Sequence, residues 1–283
     1  MMNLSCRLLL PALLLAVVLP ARAGTRIEKS LKLEPGGRFV LDSSAGSVTV
    51  SGGPASGARV VITSNRDELE SRYALRYEES PGLARVIAEK KTSGLLEWLR
   101  GESLHFEVQL PSRTQLEVQT GGGSISVSSI SRDAKLHTSG GSIEVSGIGG
   151  RLETHTSGGS LDLKDVKGDI LAHTSGGSIS ISGAEGRVDA ETSGGSVEVR
   201  FAPGNSKGGR IETSGGAMEI AVDPKADLQV EASTSGGTVD TDLPIGQPGT
   251  RPRSEISGRL GKGGDMLRVH TSGGSIRILP TSH

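Results

Sequence analysis

The residues with the most distinctive chemistry recur at a fixed interval along the chain. His137, His155 and His173 follow one another every 18 residues, and Glu191 and Glu212 hold the same place in later repeats. If each repeat formed one coil of a stack, neighbouring imidazoles would lie ~5 Å apart. Rotated side chains at that spacing could share a metal ion. A surface ladder that merely repels itself when protonated would give the same pattern, so both interpretations stay open.

A second column of side chains is acidic, and each member stands between two aliphatic or small residues. Its members are Glu144, Asp162, Glu198, Glu219 and Asp240. Ser126 and Ser180 interrupt the column, and we expect Arg277 to end it. A column that carries only negative charges favours a cationic partner or Ca²⁺, which prefers hard oxygen ligands. An ordinary solvated face would look the same, and the glycine turns lack the aspartate of calcium-binding nonapeptide repeats.

Several other kinds of chemistry are excluded. The chain has no nucleophile elbow, phosphate loop or zinc motif. Its one cysteine, Cys6, lies in a leader-like segment, so the remainder has no thiol for a disulfide or a metal. The 31 basic residues include Arg7 and Arg22, so 29 face 32 acidic residues after residue 23. This balance argues against a nucleic-acid partner, and no cofactor is expected.

The first 23 residues are typical of a secretory signal peptide. Arg7 precedes an apolar stretch from Leu8 to Leu19, and the small residues Ala21 and Ala23 mark a cleavage site. This apolar stretch is too short for a membrane span, and residues 24–283 offer no other candidate. We therefore expect an exported protein of the periplasm or the cell surface, without a membrane span in its mature chain.

The elements that must position these columns are coded by a repeat. Thr-Ser-Gly-Gly begins at Thr138, Thr156, Thr174, Thr192, Thr213, Thr234 and Thr271, and a relative, Thr-Gly-Gly-Gly-Ser, begins at Thr120. The spacing is 18 residues up to Thr192, then 21, 21 and 37. Equal spacing with rare insertions indicates stacked coils with bulging loops. Aliphatic residues alternate with polar ones on both sides of the phrase, so each coil holds two strands and two turns.

The glycines of the phrase are interpreted as one corner of the coil. We expect positive backbone dihedrals there and a clash between any side chain and the adjacent coils. The central corner glycines are Gly140, Gly141, Gly158, Gly159, Gly176, Gly177, Gly194 and Gly195. A third apolar column, Ile130, Ile148, Val166 and Ala184, is expected to fill the other corner.

These features predict an all-β fold, a right-handed parallel β-solenoid with ~18-residue coils, because parallel crossovers are right-handed in nearly all cases. Residues 24–283 form one domain in this interpretation. Irregular capping strands occupy 24–119, where Ser43 to Val50 looks like a degenerate first coil, and regular coils occupy 120–283. An open end of such a stack could add a second copy, so a homo-oligomer formed by end stacking is conceivable.

The segment from Phe106 to Val127 resembles a bacterial family of β-strand repeat proteins, a domain of unknown function often labelled "putative adhesin". A strand ending at Leu110-Pro111 is followed by the aliphatic strand Leu116–Val118, then by Thr120 and by Ile125–Val127, in the order that the family shows. The resemblance extends over Ile27 to Leu279 and implies an exported β-solenoid. It implies no catalytic residues and departs from anchored members by lacking an anchor.

The function expected from these observations is non-enzymatic. A rigid exported rod would present its side-chain ladders to an unknown macromolecule of the envelope or the surface, as an adhesin-like module or an envelope scaffold. One alternative is a carbohydrate-active β-helix enzyme, although such enzymes cluster acids and a base beside long loops. Another is an envelope-stress sensor that binds a cationic peptide or a metal.

Overall fold

The computed structural model describes residues 24–66, 69–91, 103–245 and 254–281, so the leader expected at 1–23 lies outside the described residues. One short helix, α1 (Leu69–Arg72), accompanies the described strands. The strands are β1 (Arg26–Leu31), β2 (Arg38–Ser43), β3 (Ser47–Ser64), β4 (Tyr73–Ser80), β5 (Leu83–Lys90), β6 (Leu104–Pro111), β7 (Gln115–Thr120), β8 (Ile125–Ile130), β9 (Ala134–Thr138), β10 (Ile143–Ile148), β11 (Leu152–Thr156), β12 (Leu161–Val166), β13 (Ile170–Thr174), β14 (Ile179–Ala184), β15 (Val188–Thr192), β16 (Val197–Phe201), β17 (Gly209–Thr213), β18 (Met218–Val222), β19 (Leu228–Thr234), β20 (Val239–Thr241), β21 (Glu255–Leu260), β22 (Asp265–Thr271) and β23 (Ile276–Pro280).

Each coil contributes one strand to each of two sheets, as the alternating pattern predicts. The first sheet has the order β1-β3-β8-β10-β12-β14-β16-β18-β23-β20, and β6 also pairs with β3. The second sheet has the order β21-β19-β22-β17-β15-β13-β11-β9-β7-β2-β5-β4. Through the centre, strands pair in parallel with one repeat of offset, so that Ile143 is aligned with Leu161 and Leu152 with Ile170. The outward columns of the sequence are therefore real columns in space.

Apolar side chains from both sheets fill the space between them. Ile143 and Val145 of the first sheet and Leu152 of the second are fully buried, within one continuous hydrophobic cluster. The degenerate first coil is confirmed, because Ser43 is aligned with Thr120 and Val48 with Ile125. Burial of an aliphatic side chain is worth about 1.5–3 kcal/mol. The repeated columns are thus the main source of the cohesion of the stack.

The threonine of each phrase ties two coils together at the corner. Thr156 is fully buried, and its hydroxyl donates to the carbonyl oxygen of Gly141 in the preceding coil at 2.8 Å. The same hydroxyl accepts from the N–H of Gly159 in its own coil at 3.3 Å. Equivalent pairs of bonds are made by Thr138, Thr174, Thr192, Thr213 and Thr271. A buried hydroxyl needs such partners, which explains why the phrase opens with threonine.

The corner glycines are required for close approach, and the expectation of positive φ is wrong for them. Positive φ among glycines is found at other positions, and none of Gly140, Gly141, Gly158, Gly159, Gly176, Gly177, Gly194 and Gly195 has it. A side chain at Gly159 would overlap the backbone of Gly141 in the coil before. At Gly158 the nearest atom to an added Cβ is 3.6 Å away. The steric demand therefore falls on the second glycine of each pair.

The left-handed conformation lies at the opposite corner instead. Ser129, Gly147, Asp165 and Gly183 have φ of 60°, 75°, 55° and 69° in successive coils. Each precedes a member of the third apolar column, which is buried as predicted. The backbone turns at this residue, so that the apolar side chain can enter the corner.

The last coil does not occupy the last place in the stack. The sequence order predicts β22 and β23 beyond β19 and β20, but β22 pairs with β17 on one side and with β19 on the other. Likewise β23 lies between β18 and β20. The long interval of 37 residues between Thr234 and Thr271 thus allows the chain to form the end of the stack and return.

The other end of the stack is arranged similarly. β2 lies between β7 and β5. β6 is matched with both halves of β3, in the same order from Ser47 to Gly53 and in reverse order from Arg59 to Ser64. Antiparallel pairs then complete the ends, namely β1 with β3, β4 with β5 and β21 with β19. The all-β, solenoid-like prediction is confirmed, but the sheets are mixed and only their central parts are wholly parallel.

Candidate functional site

The outer face of the second sheet carries the histidines, and we call it the histidine face. In β9, β11 and β13 the side chains before and after each histidine point inward and are buried, so the histidine itself points outward. Pairing registers place the column Gln119, His137, His155, His173, Glu191, Glu212, His270, Ser233 along the stack. The predicted column is present, with His270 inserted before Ser233.

The three central imidazoles form a regular stack. The ring centroids of His137 and His155 are 4.8 Å apart, those of His155 and His173 are 4.9 Å apart, and both pairs are parallel within 2°. Nitrogen lone pairs lie in the ring planes, so in this arrangement they point in parallel directions. Among the residues described, no group of three or more His, Cys, Asp or Glu side chains is placed to hold a metal ion. A metal bound by these three histidines alone stays a prediction that needs altered rotamers.

The pKa of the middle histidine of the stack is lowered. Burial lowers the pKa of His155 below its ordinary value of 6.5, and repulsion from the imidazoles of His137 and His173 lowers it further. Both causes disfavour the protonated ring. At neutral pH the His155 ring is therefore uncharged.

The stack ends in a carboxylate on one side. Nδ1 of His173 lies 3.6 Å from Oε2 of Glu191. Further along, Nδ1 of His270 is 3.0 Å from the hydroxyl oxygen of Ser233, within hydrogen-bonding distance. His173 and His270 thus have different surroundings, with a carboxylate beside His173 and a hydroxyl beside His270.

The neighbouring columns consist of paired charges around one apolar side chain. Lys135 and Glu153 form an ion pair at 2.9 Å, as their places in successive coils predict. Arg187 pairs with Asp189 at 3.0 Å, and Arg210 pairs with Glu212 at 2.7 Å.

Between these pairs, Leu171 is 39% exposed, a degree of exposure that no other large hydrophobic side chain of the described segments shares. It borders a recess of about 420 Å³, whose polar lining includes His173 and Glu191. Sequence reasoning missed this recess, although a leucine in a charged column was a visible signal.

The acidic column lies on the outer face of the first sheet, but its order differs from the prediction. Arg277 stands between Glu219 and Asp240 and does not end the column, because β23 is inserted before β20. Within the column, Glu144 is aligned with Asp162, and Glu198 with Glu219. The stripe is therefore interrupted by a cation in its last third.

Cations from the next column also compensate the acidic stripe. Lys164 contacts Asp162 at 2.8 Å, and Arg200 contacts both Glu198 and, at 3.7 Å, Glu219. Both cations stand two residues after an acid, which is the signal by which they could have been found. All these groups are substantially exposed, so each pair contributes little to stability. The surface offers alternating charges in place of a uniformly acidic stripe.

Taken together, the described residues make an all-β repeat protein with two ladder-bearing outer faces. No helix among them is long and apolar enough to cross a membrane. The chain belongs to the family described as Toastrack DUF4097, whose model matches residues 83–279. The resemblance carried by Phe106 to Val127 is thereby confirmed.

Solved structures resemble this chain at low sequence identity. A "putative adhesin" from Bacteroides fragilis NCTC 9343 is 10% identical, with coverage of 92% of this chain and 99% of that one and a TM-score of 0.51. A "putative cell adhesion protein" from Clostridium sporogenes ATCC 15579 is 14% identical, with coverage of 92% and 100% and a TM-score of 0.30. A "putative lipid binding protein" from Parabacteroides distasonis ATCC 8503 is 13% identical, with coverage of 91% and 97% and a TM-score of 0.33. No curated protein matches the chain. These likenesses bear on the fold alone.

Proposed function

We propose that this protein is an exported, non-enzymatic β-solenoid that binds a macromolecule of the cell envelope or surface through its outer faces, as an adhesin-like or scaffold module. The observation that carries the proposal is the registered columns on both faces. A column such as Glu144, Asp162, Ser180 and Glu198 repeats a polar group in every coil over several coils. Such a surface suits a long or repetitive partner better than a small molecule.

The interior of the stack supports the same proposal. Inward positions are filled mainly by apolar side chains and by corner threonines whose hydroxyls are already bonded. The polar groups that could contact a ligand therefore lie on the outside, where neighbouring charges compensate one another. Recognition would then depend on the pattern of charges more than on net charge, and moderate salt would weaken it without abolishing it.

The finer features of the proposal follow from the sequence. Export is inferred from the leader pattern in 1–23, and right-handed winding from the rule for parallel crossovers. Of the two faces, we assign binding to the first sheet, whose column has two aligned acidic pairs, Glu144 with Asp162 and Glu198 with Glu219. The histidine column of the second sheet has one such pair, Glu191 with Glu212.

A cross-linking pull-down from a bacterial envelope fraction tests the proposal, with Gly24–His283 as bait. The variant Glu144→Gln/Asp162→Asn/Glu198→Gln neutralises three carboxylates of the first sheet. We expect it to lose most of the captured partner at low and at physiological salt. The far-UV circular dichroism should stay unchanged, because all three side chains point outward.

The matched control removes three outward carboxylates from the other sheet. Glu153→Gln/Asp189→Asn/Glu231→Gln changes the charge equally and should keep the partner. Equal capture by the parent chain and both variants would contradict binding through the first sheet. Release of new sugar ends from envelope polysaccharide would contradict the non-enzymatic part of the proposal.

A further inference from the structure

The strand β4 leaves one edge of the second sheet open at the end of the stack. It pairs with β5 on one side, and no strand of the described segments pairs with its other side. With eight residues, it is the longest of the strands at which the two sheet orders end. Long unpaired edges readily accept a further strand, so this edge needs either a partner or a device that prevents pairing.

The hydrogen bonds of β4 show which of its backbone groups face the open edge. The N–H of Lys91 donates to the carbonyl oxygen of Arg72 at 2.8 Å, in the register that β4 and β5 share. Hydrogen-bonded positions alternate along an antiparallel pair, so the even-numbered residues of β4 face β5. The residues whose N–H and C=O groups face the open edge are Leu75, Tyr77 and Glu79.

The side chains of β4 form two different rows. Leu75 and Tyr77 are half-buried and pack against the hydrophobic core between the sheets. Arg76 and Glu78 are exposed on the outer face, where Arg76 pairs with Glu89 at 2.7 Å. The outer row thus carries opposite charges two residues apart, on either side of Tyr77.

The edge is complementary to a second copy of itself. In a two-fold antiparallel pair centred on Tyr77, Arg76 of each copy lies opposite Glu78 of the other, and opposite charges across a strand pair stabilise a sheet. The same register matches the open N–H and C=O groups and forms about six main-chain hydrogen bonds. Moving the centre by one residue sets Arg76 opposite Arg76, or Glu78 opposite Glu78, which is unfavourable. The charges therefore select one register of self-pairing.

We propose that two copies of this protein form a dimer through β4, paired antiparallel about a two-fold axis at Tyr77. Charges on an edge oppose pairing with an arbitrary strand, and here they admit a partner whose charges run in the reverse order. A two-fold contact of this kind closes at two copies and gives no filament. The dimer presents the first sheet twice, and the binding proposed for that sheet does not depend on it.

Sedimentation velocity over a concentration series tests the dimer, with Gly24–His283 as the sample. The parent chain should show a concentration-dependent dimer. Arg76→Glu and Glu78→Arg should each weaken self-association at least about tenfold, because each sets like charges opposite each other twice in the dimer. An equimolar mixture of the two variants should dimerise again, since each changed residue then meets an opposite charge.

The matched control changes the same kind of charge pair inside the sheet. Arg210 and Glu212 also stand two residues apart and form an ion pair, but they lie in β17, which has strands on both sides. Arg210→Glu and Glu212→Arg should dimerise as the parent does. Far-UV circular dichroism should be unchanged in all these variants, because the substituted side chains point outward.

A parent chain that stays monomeric at its highest soluble concentration would overturn the proposal and leave the edge to another occupant. Equal self-association of the parent and both β4 variants would place the contact elsewhere. Variants that are monomeric alone and also when mixed would show that the substitutions act within one chain, against the pairing of Arg76 with Glu78. Species larger than a dimer would contradict a closed two-fold contact.

Discussion

Alanine at the two glycines of one corner should have very different effects on stability. An added Cβ at Gly159 would overlap the carbonyl group of Gly141 and lie 2.5 Å from the nitrogen of Ser142, where an ordinary contact is ~3.5 Å. At Gly158 the nearest atom is 3.6 Å away, and the backbone is not left-handed. Only Gly159→Ala, at the second glycine of the pair, therefore forces two stacked backbones apart.

The cost has two parts. Overpacking of this kind costs about 1–3 kcal/mol. The Gly141 carbonyl also accepts the Thr156 hydroxyl at 2.8 Å, and displacing it loses a further ~1 kcal/mol. We expect Gly159→Ala to lower the free energy of unfolding by about 2–4 kcal/mol. Gly158→Ala should change it by less than about 1 kcal/mol, because alanine also restricts the unfolded chain.

Urea unfolding followed by far-UV circular dichroism measures this difference. Gly177→Ala and Gly176→Ala repeat the comparison one coil further along, where the Cβ environments are closely similar. A repeat protein can unfold in steps, so the midpoint and the slope are compared between variants. Equal midpoints for Gly159→Ala and Gly158→Ala would refute the steric explanation of the corner.

Three further changes test other parts of the stack. Thr156→Val should lower the free energy of urea unfolding by about 1–2 kcal/mol, because it leaves a corner carbonyl unpaired. The Thr154 hydroxyl makes only a 3.4 Å contact, so Thr154→Val should cost less than half as much. Gly147→Ala should cost about 1–2 kcal/mol from its φ of 75° alone, and no loss in the same assay would contradict the left-handed corner. In EDTA, the free energy of unfolding should fall as the pH drops below 6.5, because the pKa of His155 is lowered in the folded state and the unfolded chain therefore binds more protons. His155→Gln should flatten this pH dependence, and an unchanged slope would contradict the role of His155.

The middle of the fold was predictable because it depends on local information. An alternation of period two fixes which side chains point inward, and the 18-residue interval fixes which ones meet between coils. Ile143, Leu161 and Ile179 stand 18 residues apart, so the repeat predicts one column for them, and the pairing registers agree. The same logic placed His137, His155 and His173 on one face.

The place of the last coil could not be derived in this way. Local alternation predicts that Ile276 and Ile278 belong to a strand, but it does not predict which strands lie beside that strand. An interval of 37 residues is compatible with either position, because the free-energy cost of loop closure rises only slowly with loop length. One signal was present: Val239 is followed by Asp240 and Thr241, so this unit lacks the second aliphatic residue of an interior strand. A weak strand of that kind suits an edge, where β20 is found.

The corner glycines show why residue type alone misleads. Glycine permits positive φ, and it also permits close approach of two backbones, and the sequence does not separate these uses. In the left-handed corner, glycine alternates with Ser129 and Asp165, because a positive φ costs a non-glycine residue only ~1–2 kcal/mol. Where backbones stack, as at Gly159, an added Cβ has no room at all. The invariant glycine of the repeat thus marks the steric constraint.

Insertion of the last coil has a consequence for what the ends of the stack can bind. Stacked in sequence order, the chain would finish with β23, a five-residue strand, as the open edge of the first sheet. With β23 inserted, the edge is β20, which has three residues, and β21 with Glu255 and Arg259 closes the second sheet. Short or charged edges oppose the addition of a further strand. A homo-oligomer formed by end stacking stays a prediction, and the β20 and β21 edges at this end oppose it. The two ladder-bearing faces are the surfaces to which we assign partner recognition.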